Sequence, residues 1–413
     1  MARAIVLGGG SDQINFLEQL KMRNISTVLV DYYSNPPAKS HADIHYIVST
    51  LDQEAVLNIA REEKVDFVFT ACIDQAILTA SYVSEKLGLS WPFSYDQAFN
   101  VTNKASMKAK FFSSGVPTAN FISTSAPLVA LHHQLTYPVV VKPADCNGSL
   151  GVKRVISDSD FNQAVMEAFH NSRSNTIVVE EYIDGIELSV DAFVNNGVVS
   201  ILLITETRKI PFSESVFSIY QSRFPVSLQD DILGKIYNAV KIIVSAFELD
   251  NTPLLVQFII KDSEAYVVEF GARIAGGSKQ HLIKHITGID VISAYIKTLF
   301  QEPNQFHATS CNKLVAIEYI YSHAGVYSQI QGVESLKQDK TVVEFFIYKT
   351  PGMELSGRKA SRDRVGAFIT EGNTISELEN KLERARRKIK VLDESGSNKT
   401  FYISNIFKIP QST

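Results

Sequence analysis

Short apolar runs alternate with amphipathic stretches through the amino-terminal part of the chain. Ala4-Ile5-Val6-Leu7 is a buried-strand pattern that stops at Gly8-Gly9-Gly10-Ser11. Ile14, Leu17 and Leu20 then recur at helical spacing over about Asp12 to Met22, and Thr27 to Val30 returns as a strand ending at Asp31. A helix at about Gln53 to Glu62, the run Val65 to Thr70 and a helix at about Gln75 to Leu87 continue the alternation. Strand and helix in turn predict a small parallel sheet covered on both faces, closing near Trp91-Pro92 with a boundary at about Ser94.

The pattern then changes. Asp96 to Phe112 reads as one helix carrying Lys104, Lys108 and Lys110, a solvated face by ordinary expectation, and Gly115-Val116-Pro117 stops it. Tyr137 to Val155 reads as a strand ending in Lys142-Pro143, a polar glycine loop from Asp145 to Gly151, and a second strand. A helix at about Asp158 to Asn171, capped by Ser157 or Asp158, precedes the strand Thr176 to Ile183. Gly185 to Phe193 alternates, Asn195-Asn196-Gly197 is a turn signal, and Val198 to Thr205 returns as a strand, so this half is antiparallel. After a helix at about Leu228 to Phe247 comes a hairpin, Leu254 to Ile260 and Ala265 to Phe270, joined near Asp262-Ser263. An odd loop there sets Gln257 and Glu269 opposite each other on one face, whereas an even loop puts them on opposite faces. Past about Pro303 the chain becomes strand-rich. Thr374-Ile375-Ser376-Glu377 reads as a capping box, Leu378, Leu382, Ala385 and Ile389 share one helical face, and the basic run Arg384 to Lys390 is the wet side.

At 413 residues the chain is too long for one core, and two or three domains are expected. Hydrophobic residues at 45% and charged residues at 20% are those of a soluble globular protein. A net charge of -4 lacks the basic excess of a nucleic-acid reader. Cys72, Cys146 and Cys311 are odd in number and widely spaced, which excludes a disulfide framework or a paired-cysteine metal knuckle and fits a reducing cytoplasm. The first apolar run is too short for a signal core, and no segment approaches the roughly 20 apolar residues that span a bilayer.

Two familiar motifs fail on inspection. Asp31 lies near the spacing of a dinucleotide fingerprint, but Gln13 stands where the third glycine would pack helix against strand. His281 and His285 have the spacing of a zinc pair without the glutamate after the first, so packed or capping histidines are expected. The Tyr137 to Val155 stretch is more informative. Two glycines and a serine let backbone N–H groups approach an anion, Lys142 adds a point charge, and a phosphate is the natural guest, with a plain hairpin as the alternative.

Taken in order, a lysine helix, a strand with lysine before a glycine loop, an acidic strand end at Glu180-Glu181 and the stretch Glu269-Phe270-Gly271-Ala272-Arg273 resemble the ATP-grasp superfamily. The resemblance spans the whole chain. It implies an α/β and α+β protein of three domains: a Rossmann-like parallel-sheet domain over 1–94, a two-part ATP-grasp domain with the nucleotide and metal site over 95–303, and a strand-rich α+β lid module over 304–413. It implies Lys104 and Lys142 at the ATP phosphates, with Gly148, Ser149 and Gly151 in the loop that closes on them. It places Glu180 and the Ile183 backbone at the adenine and Glu187 at the ribose, with Glu181 also among the nucleotide-binding residues. Glu269 matches a ligand of magnesium or manganese, and Arg273 an arginine that steadies the transferred phosphoryl group. A solvated strand edge for the glutamates and a structural Glu269–Arg273 ion pair are the plain alternatives.

The chain departs from the pattern at two places. Gln257 stands where an acid is usual, so it brings an amide oxygen but no charge to the metal, and Gly271 stands where asparagine is often found. Gly271-Ala272-Arg273, Gly276-Gly277 and Thr287-Gly288-Ile289-Asp290 look more like carboxylate-amine ligases that join amino acids than like biotin carboxylases. The expected function is therefore an ATP-dependent ligase that forms an amide through an acyl phosphate. Gly276, Gly277 and Ser278 would hold the substrate carboxylate through their N–H groups, and Arg208 is placed to reach the same anion. Alternatives are a purine-pathway, carbamoyl-phosphate or biotin-carboxylase-like enzyme using bicarbonate, and an ATP-binding regulator without catalysis. The expected partners are small carboxylates and amines, with neither nucleic acid nor membrane. Oligomeric state is open in the sequence, a homodimer being the commonest arrangement.

Overall fold

In a computed structural model of the protein, which describes residues 2–126, 135–210, 217–309 and 311–403, the first four strands pair in parallel. Their order is Ile44–Ile47, Ser26–Asp31, Arg3–Leu7, Phe67–Phe69. The two central strands are buried on both faces, as continuous apolar runs require. Ile5, Leu7, Val28 and Val30 meet Val56, Leu57, Ala76 and Ala80 from the helices Gln53–Glu62 and Asp74–Leu87. On the other face the helix Ile14–Met22 brings Phe16 against Phe69 and Tyr295. Ile44–Ile47 carries no strand signature in the sequence, because this edge strand is only half-buried and its apolar alternation is broken.

The chain gathers into two units, Met1–Ile204 with Ser227–Ala308, and Thr205–Val226 with Thr309–Thr413. In the first unit the expected long lysine helix is two helices, Tyr95–Thr102 and Lys104–Ser114. The break has a local cause. Ser94 and Gln97 form a capping box that starts the first helix. Asn103 leaves helical geometry, and its Oδ1 accepts the N–H groups of Ala105 and Ser106 at 3.0 and 3.1 Å to start the second. At the helix Asp158–Asn171, Ser157 holds the cap position but makes no capping hydrogen bond.

A second sheet is antiparallel in the order Phe121–Thr124, Ile177–Glu181, Val139–Pro143, Lys153–Val155. The helix Asp158–Asn171 packs against it through Phe161, Ala164, Val165 and Ala168. The strand Thr252–Lys261 pairs antiparallel with both Ile186–Asn195 and Glu264–Gly271. Its hairpin loop, Asp262-Ser263, has two residues, and an uninterrupted ladder from it would set Gln257 opposite Val268. A β-bulge at Val268 shifts the register, so Gln257 faces Glu269 after all. Loop parity alone predicts the wrong face because it assumes no bulge.

In the second unit, Leu314–Ser322 lies between Ile219–Phe224 and Gly366–Gly372 in antiparallel pairing. The helix Ile375–Lys388 covers this sheet with Leu378, Leu382 and Ala385, joined by Ile389. Its basic run is not wholly wet, because Arg386 turns inward and forks onto the buried Glu318 at 2.7 and 2.6 Å. Among the described residues no helix is long and apolar enough to cross a membrane.

Replacing Asn103 by alanine removes the cap of the lysine helix and is expected to lower unfolding stability by about 1 kcal/mol, whereas aspartate retains most of it. Urea titration followed by circular dichroism checks this; equal midpoints for the alanine variant and the parent chain would contradict it.

Candidate active site

Lys104 and Lys108 are one turn apart on the helix Lys104–Ser114 and so project from the same side. The neighbouring strands Val139–Pro143 and Ile177–Glu181 contribute Lys142 and Glu180. Lys142 Nζ donates to Glu180 Oε1 at 2.5 Å, and Lys108 Nζ lies 2.6 Å from Oε2. Lys108 also donates to Thr118 Oγ1 at 2.5 Å, which donates onward to the Val267 carbonyl at 2.7 Å. All three charged side chains are buried. Burial alone would raise the Glu180 pKa, but the two lysines hold it down at about 2. Burial lowers the Lys108 pKa and the Lys142 charge adds to that, while Glu180 opposes both. The trio carries one positive charge in excess, which suits a pocket wall that meets an anion.

Lys104 extends the wall. Its Nζ donates to the Cys146 carbonyl at 2.6 Å and lies 3.5 Å from Glu269 Oε2. Glu269 would be raised by burial, but Lys104 and then Lys142 hold it below the usual carboxylate range, so it stays ionised. Gln257 faces it across the bulged hairpin, and the next strand sets Ser189 opposite Gln257 and Glu187 opposite Ile259. Among the described residues no group of three or more histidine, cysteine, aspartate or glutamate side chains is disposed to hold a metal. One carboxylate and one amide oxygen fit a hard, oxygen-seeking ion that takes most of its ligands from water and phosphate; they do not fit zinc.

The glycine loop is anchored at its start. The Asp145 carboxylate accepts from Ser172 Oγ, Arg173 N and Ser174 N at 3.1, 3.2 and 2.6 Å. Gly148 and Ser149 follow in left-handed conformation at φ 62° each, and Gly151 at 69°. Two left-handed residues in succession make a tight turn, closed by the Leu150 N–H on the Asn147 carbonyl at 3.3 Å, and the glycines let a ligand approach the main chain closely. At the acidic strand end, Glu181 accepts from Asn120 Nδ2 and Thr136 N, both at 2.9 Å. The Arg154 guanidinium covers the Tyr182 ring at 4.2 Å. Ile183 and Glu187 are partly exposed just beyond.

Arg273 is held by Asp74, the first residue of the helix Asp74–Leu87. Nε and Nη2 donate to the two carboxylate oxygens at 2.7 and 2.6 Å, and Nη1 donates to the Ile274 carbonyl at 2.9 Å. The guanidinium pKa is raised, with burial opposing and Asp74 prevailing. The N–H groups of Gly277 and Ser278, expected for a substrate carboxylate, donate here to an internal one, Asp12, at 2.8 and 2.7 Å. Gly276 lies beside the same carboxylate, since a Cβ there would be 3.3 Å from Asp12 Oδ2. Burial, and then Asp12, push the Cys72 thiol up, with Arg273 opposing, so it is held protonated and is a poor nucleophile.

Lys104, Lys142, Glu180 and Glu269 are thus brought together, with Gln257 beside Glu269. Arg208 belongs to the second unit, where its Nε donates to Glu206 Oε1 at 2.7 Å. Lys108, Asp12 and Asp74 were missed. The spacing of Lys104 and Lys108 signals one helical side, but only the tertiary fold shows that this side is buried. The two aspartates lie far in sequence from the groups they hold, and no local pattern marks them.

The ATP-grasp domain family matches residues 135–281, and the L-amino acid ligase C-terminal domain 2 family matches residues 318–392. The L-arginine-specific L-amino acid ligase of Bacillus subtilis is 24% identical over 295 residues, 68% of this chain and 70% of that protein. A formate-dependent phosphoribosylglycinamide formyltransferase of Sulfurisphaera tokodaii is 24% identical over 395 residues, 92% of this chain and 94% of that protein. The crystal structure of an L-amino acid ligase from Bacillus licheniformis superposes with a TM-score of 0.77 at 21% identity, over 95% of this chain and 99% of that one.

Replacing Glu180 by glutamine leaves two buried lysines without their counter-charge and is expected to destabilise the chain by about 3–5 kcal/mol. Because the folded pKa of Glu180 is depressed, its contribution is complete above pH about 4.5 and is lost as pH falls toward about 2. Acid unfolding of the glutamine variant should lack that component; identical acid limbs in the two proteins would contradict it.

Proposed function

The chain belongs to the ATP-grasp superfamily of ATP-dependent ligases, and we propose that it joins an amino acid carboxylate to an amine through an acyl phosphate, releasing ADP and phosphate. The observation that carries this reading is the shared basin of Lys104, Lys142 and Glu269, with Lys142 and Lys108 fixed on one buried carboxylate. The amino acid part draws on the match of residues 318–392 and on the Bacillus relative.

In this assignment Lys104, Lys142 and the N–H groups of Gly148, Ser149 and Gly151 receive the ATP phosphates. The Glu180 carboxylate is engaged by lysines, so adenine is assigned to the main chain of Glu181 to Ile183, with Glu187 on the ribose diol. Glu269, with Gln257, would hold magnesium or manganese, which when bound offsets phosphate charge. Three of the five N–H donors of the Arg273 guanidinium are engaged, leaving two for an oxygen of the transferred group.

A substrate carboxylate oxygen attacks the terminal phosphorus of ATP as the bond to ADP breaks. The amine nitrogen then attacks the acyl carbon, phosphate leaves, and the nitrogen loses a proton. Charge placement and exclusion of water supply the catalysis, and no protein nucleophile is needed. Asp12 already fills two of the three N–H groups expected for the substrate carboxylate, which leaves the Gly276 N–H for it, with Arg208 as a cation to be tested.

The long match to the formyltransferase favours a second reading, in which formate and a ribotide amine are the substrates. Asp12 weighs against it, because it adds a carboxylate directly after the glycine turn where an incoming phosphate would meet like charge.

Product-resolved ATP cleavage with magnesium separates these. ADP and phosphate should appear when pooled amino acids supply both carboxylate and amine. Release with formate plus a ribotide amine selects the second reading, and release with bicarbonate alone sinks both. Arg273→Ala should lower turnover by about two orders of magnitude or more. Arg208→Ala with unaltered kinetics would remove Arg208 from the site. Gln257→Glu adds a charged oxygen ligand and should lower the magnesium concentration at half-maximal activity; an unchanged requirement would detach position 257 from the metal.

A further inference from the structure

Residues two apart on a strand share a face, so a side chain at position 271 would stand beside Glu269. The structure puts another group there. A Cβ built on Gly271 would lie 2.5 Å from Asp74 Oδ1 and 3.3 Å from Arg273 Cγ, too close for any side chain while the Asp74 carboxylate keeps its place. That carboxylate comes from a different part of the chain, the start of the helix Asp74–Leu87, where a negative charge is favoured by the helix dipole. It grips Arg273 through two parallel hydrogen bonds, the arrangement that best fixes a guanidinium plane. The segment is tethered at the same level by the Ile274 N–H, which donates to the Ala71 carbonyl at 3.2 Å.

We propose that Asp74 is the positioning residue for Arg273, and that Gly271 is its matched partner, empty so that Asp74 can hold the guanidinium where the terminal phosphoryl group of ATP is met. This rests on the assignment of Arg273 to that group. A free arginine side chain samples many rotamers, and the fork removes most of them before the nucleotide arrives. Asp74 touches neither substrate nor nucleotide in this role; it acts through Arg273.

Nucleotide affinity tests the pair without knowledge of the substrates. Isothermal titration with magnesium compares ADP with the β,γ-imido analogue of ATP, so the ratio of the two affinities isolates contacts to the terminal phosphate. Arg273→Ala should abolish the preference of the parent chain for the imido analogue. Asp74→Ala should reduce it about tenfold and Asp74→Asn, which keeps one acceptor oxygen, by less. ADP affinity should hold within about twofold in each variant, which also shows that the nucleotide site is folded. Gly271→Ala should reproduce the Asp74→Ala loss, and in an Asp74→Ala background it should add nothing.

An Asp74→Ala chain that keeps the full preference while Arg273→Ala loses it overturns the positioning role and leaves the function intact. Additive losses for Asp74→Ala and Gly271→Ala overturn the matched pair. If Arg273→Ala keeps the preference, the arginine does not read the terminal phosphate, and both its assignment and this proposal fall. A parent chain that binds neither nucleotide overturns the ATP site itself.

Discussion

The lysine-lined basin of the candidate site depends on one buried carboxylate. Glu180 sits out of water between Lys108 and Lys142, and without it neither ammonium group would be tolerated at that depth. Desolvation and Coulomb attraction act in opposite senses on Lys108 and Glu180, and the trio they form with Lys142 has one cation more than it needs. That excess is a fixed, prepaid positive charge in a water-poor wall, where it acts on an anion more strongly than a surface lysine would. Lys108 carries no direct nucleotide role in this scheme. It balances Glu180 so that Lys142 can be both anchored and shared.

A second constraint comes from the parallel sheet. Its strands Arg3–Leu7 and Phe67–Phe69 are each followed by a short turn and then a helical segment, which carry Asp12 in the turn of 3-10 helix Ser11–Gln13 and Asp74 at the start of the helix Asp74–Leu87, and both carboxylates reach the segment Arg273–Ser278. Functional groups at the carboxyl ends of parallel strands are the usual arrangement in such sheets. Here the sheet supplies anions that hold a cation and a pair of N–H groups belonging to another layer. The amino-terminal region thus meets the candidate site by holding Arg273 through Asp74 and the Gly277 and Ser278 N–H groups through Asp12, contacts that ask nothing of the dinucleotide pattern in its glycine turn.

Much of this was legible in the sequence where physics is local. Alternation of apolar strands with helices gave the parallel sheet, and β-branched runs around glycine gave the second sheet; of the expected capping box only the Thr374 half forms, accepting from Glu377 N, while the Glu377 carboxylate takes the Asn373 N–H instead. Asn103 was legible in principle, since asparagine before an alanine- and serine-bearing turn is a good cap, yet three lysines at near-helical spacing masked the break. Lys108 was misread because amphipathicity assumes that charge faces water, and a buried carboxylate on a distant strand reverses that rule. Asp12, Asp74 and Arg386 share this character: each pairs across a long stretch of chain, where neither period nor motif reports a contact.

The hairpin shows how small a feature can decide a site. A two-residue loop imposes a parity on every pair above it, and that parity would point Glu269 away from Gln257 and from the face that carries Ser189. One unpaired residue, Val268, restores the match only beyond the bulge, so the ladder near the loop serves the core while the ladder near Glu269 serves the site. The same strand then ends at Gly271, where a missing side chain admits Asp74. A bulge that turns one carboxylate inward and a glycine that lets another approach are complementary solutions to one problem: placing two acids within a few residues of strand and giving each its own cation, Lys104 for Glu269 and Arg273 for Asp74.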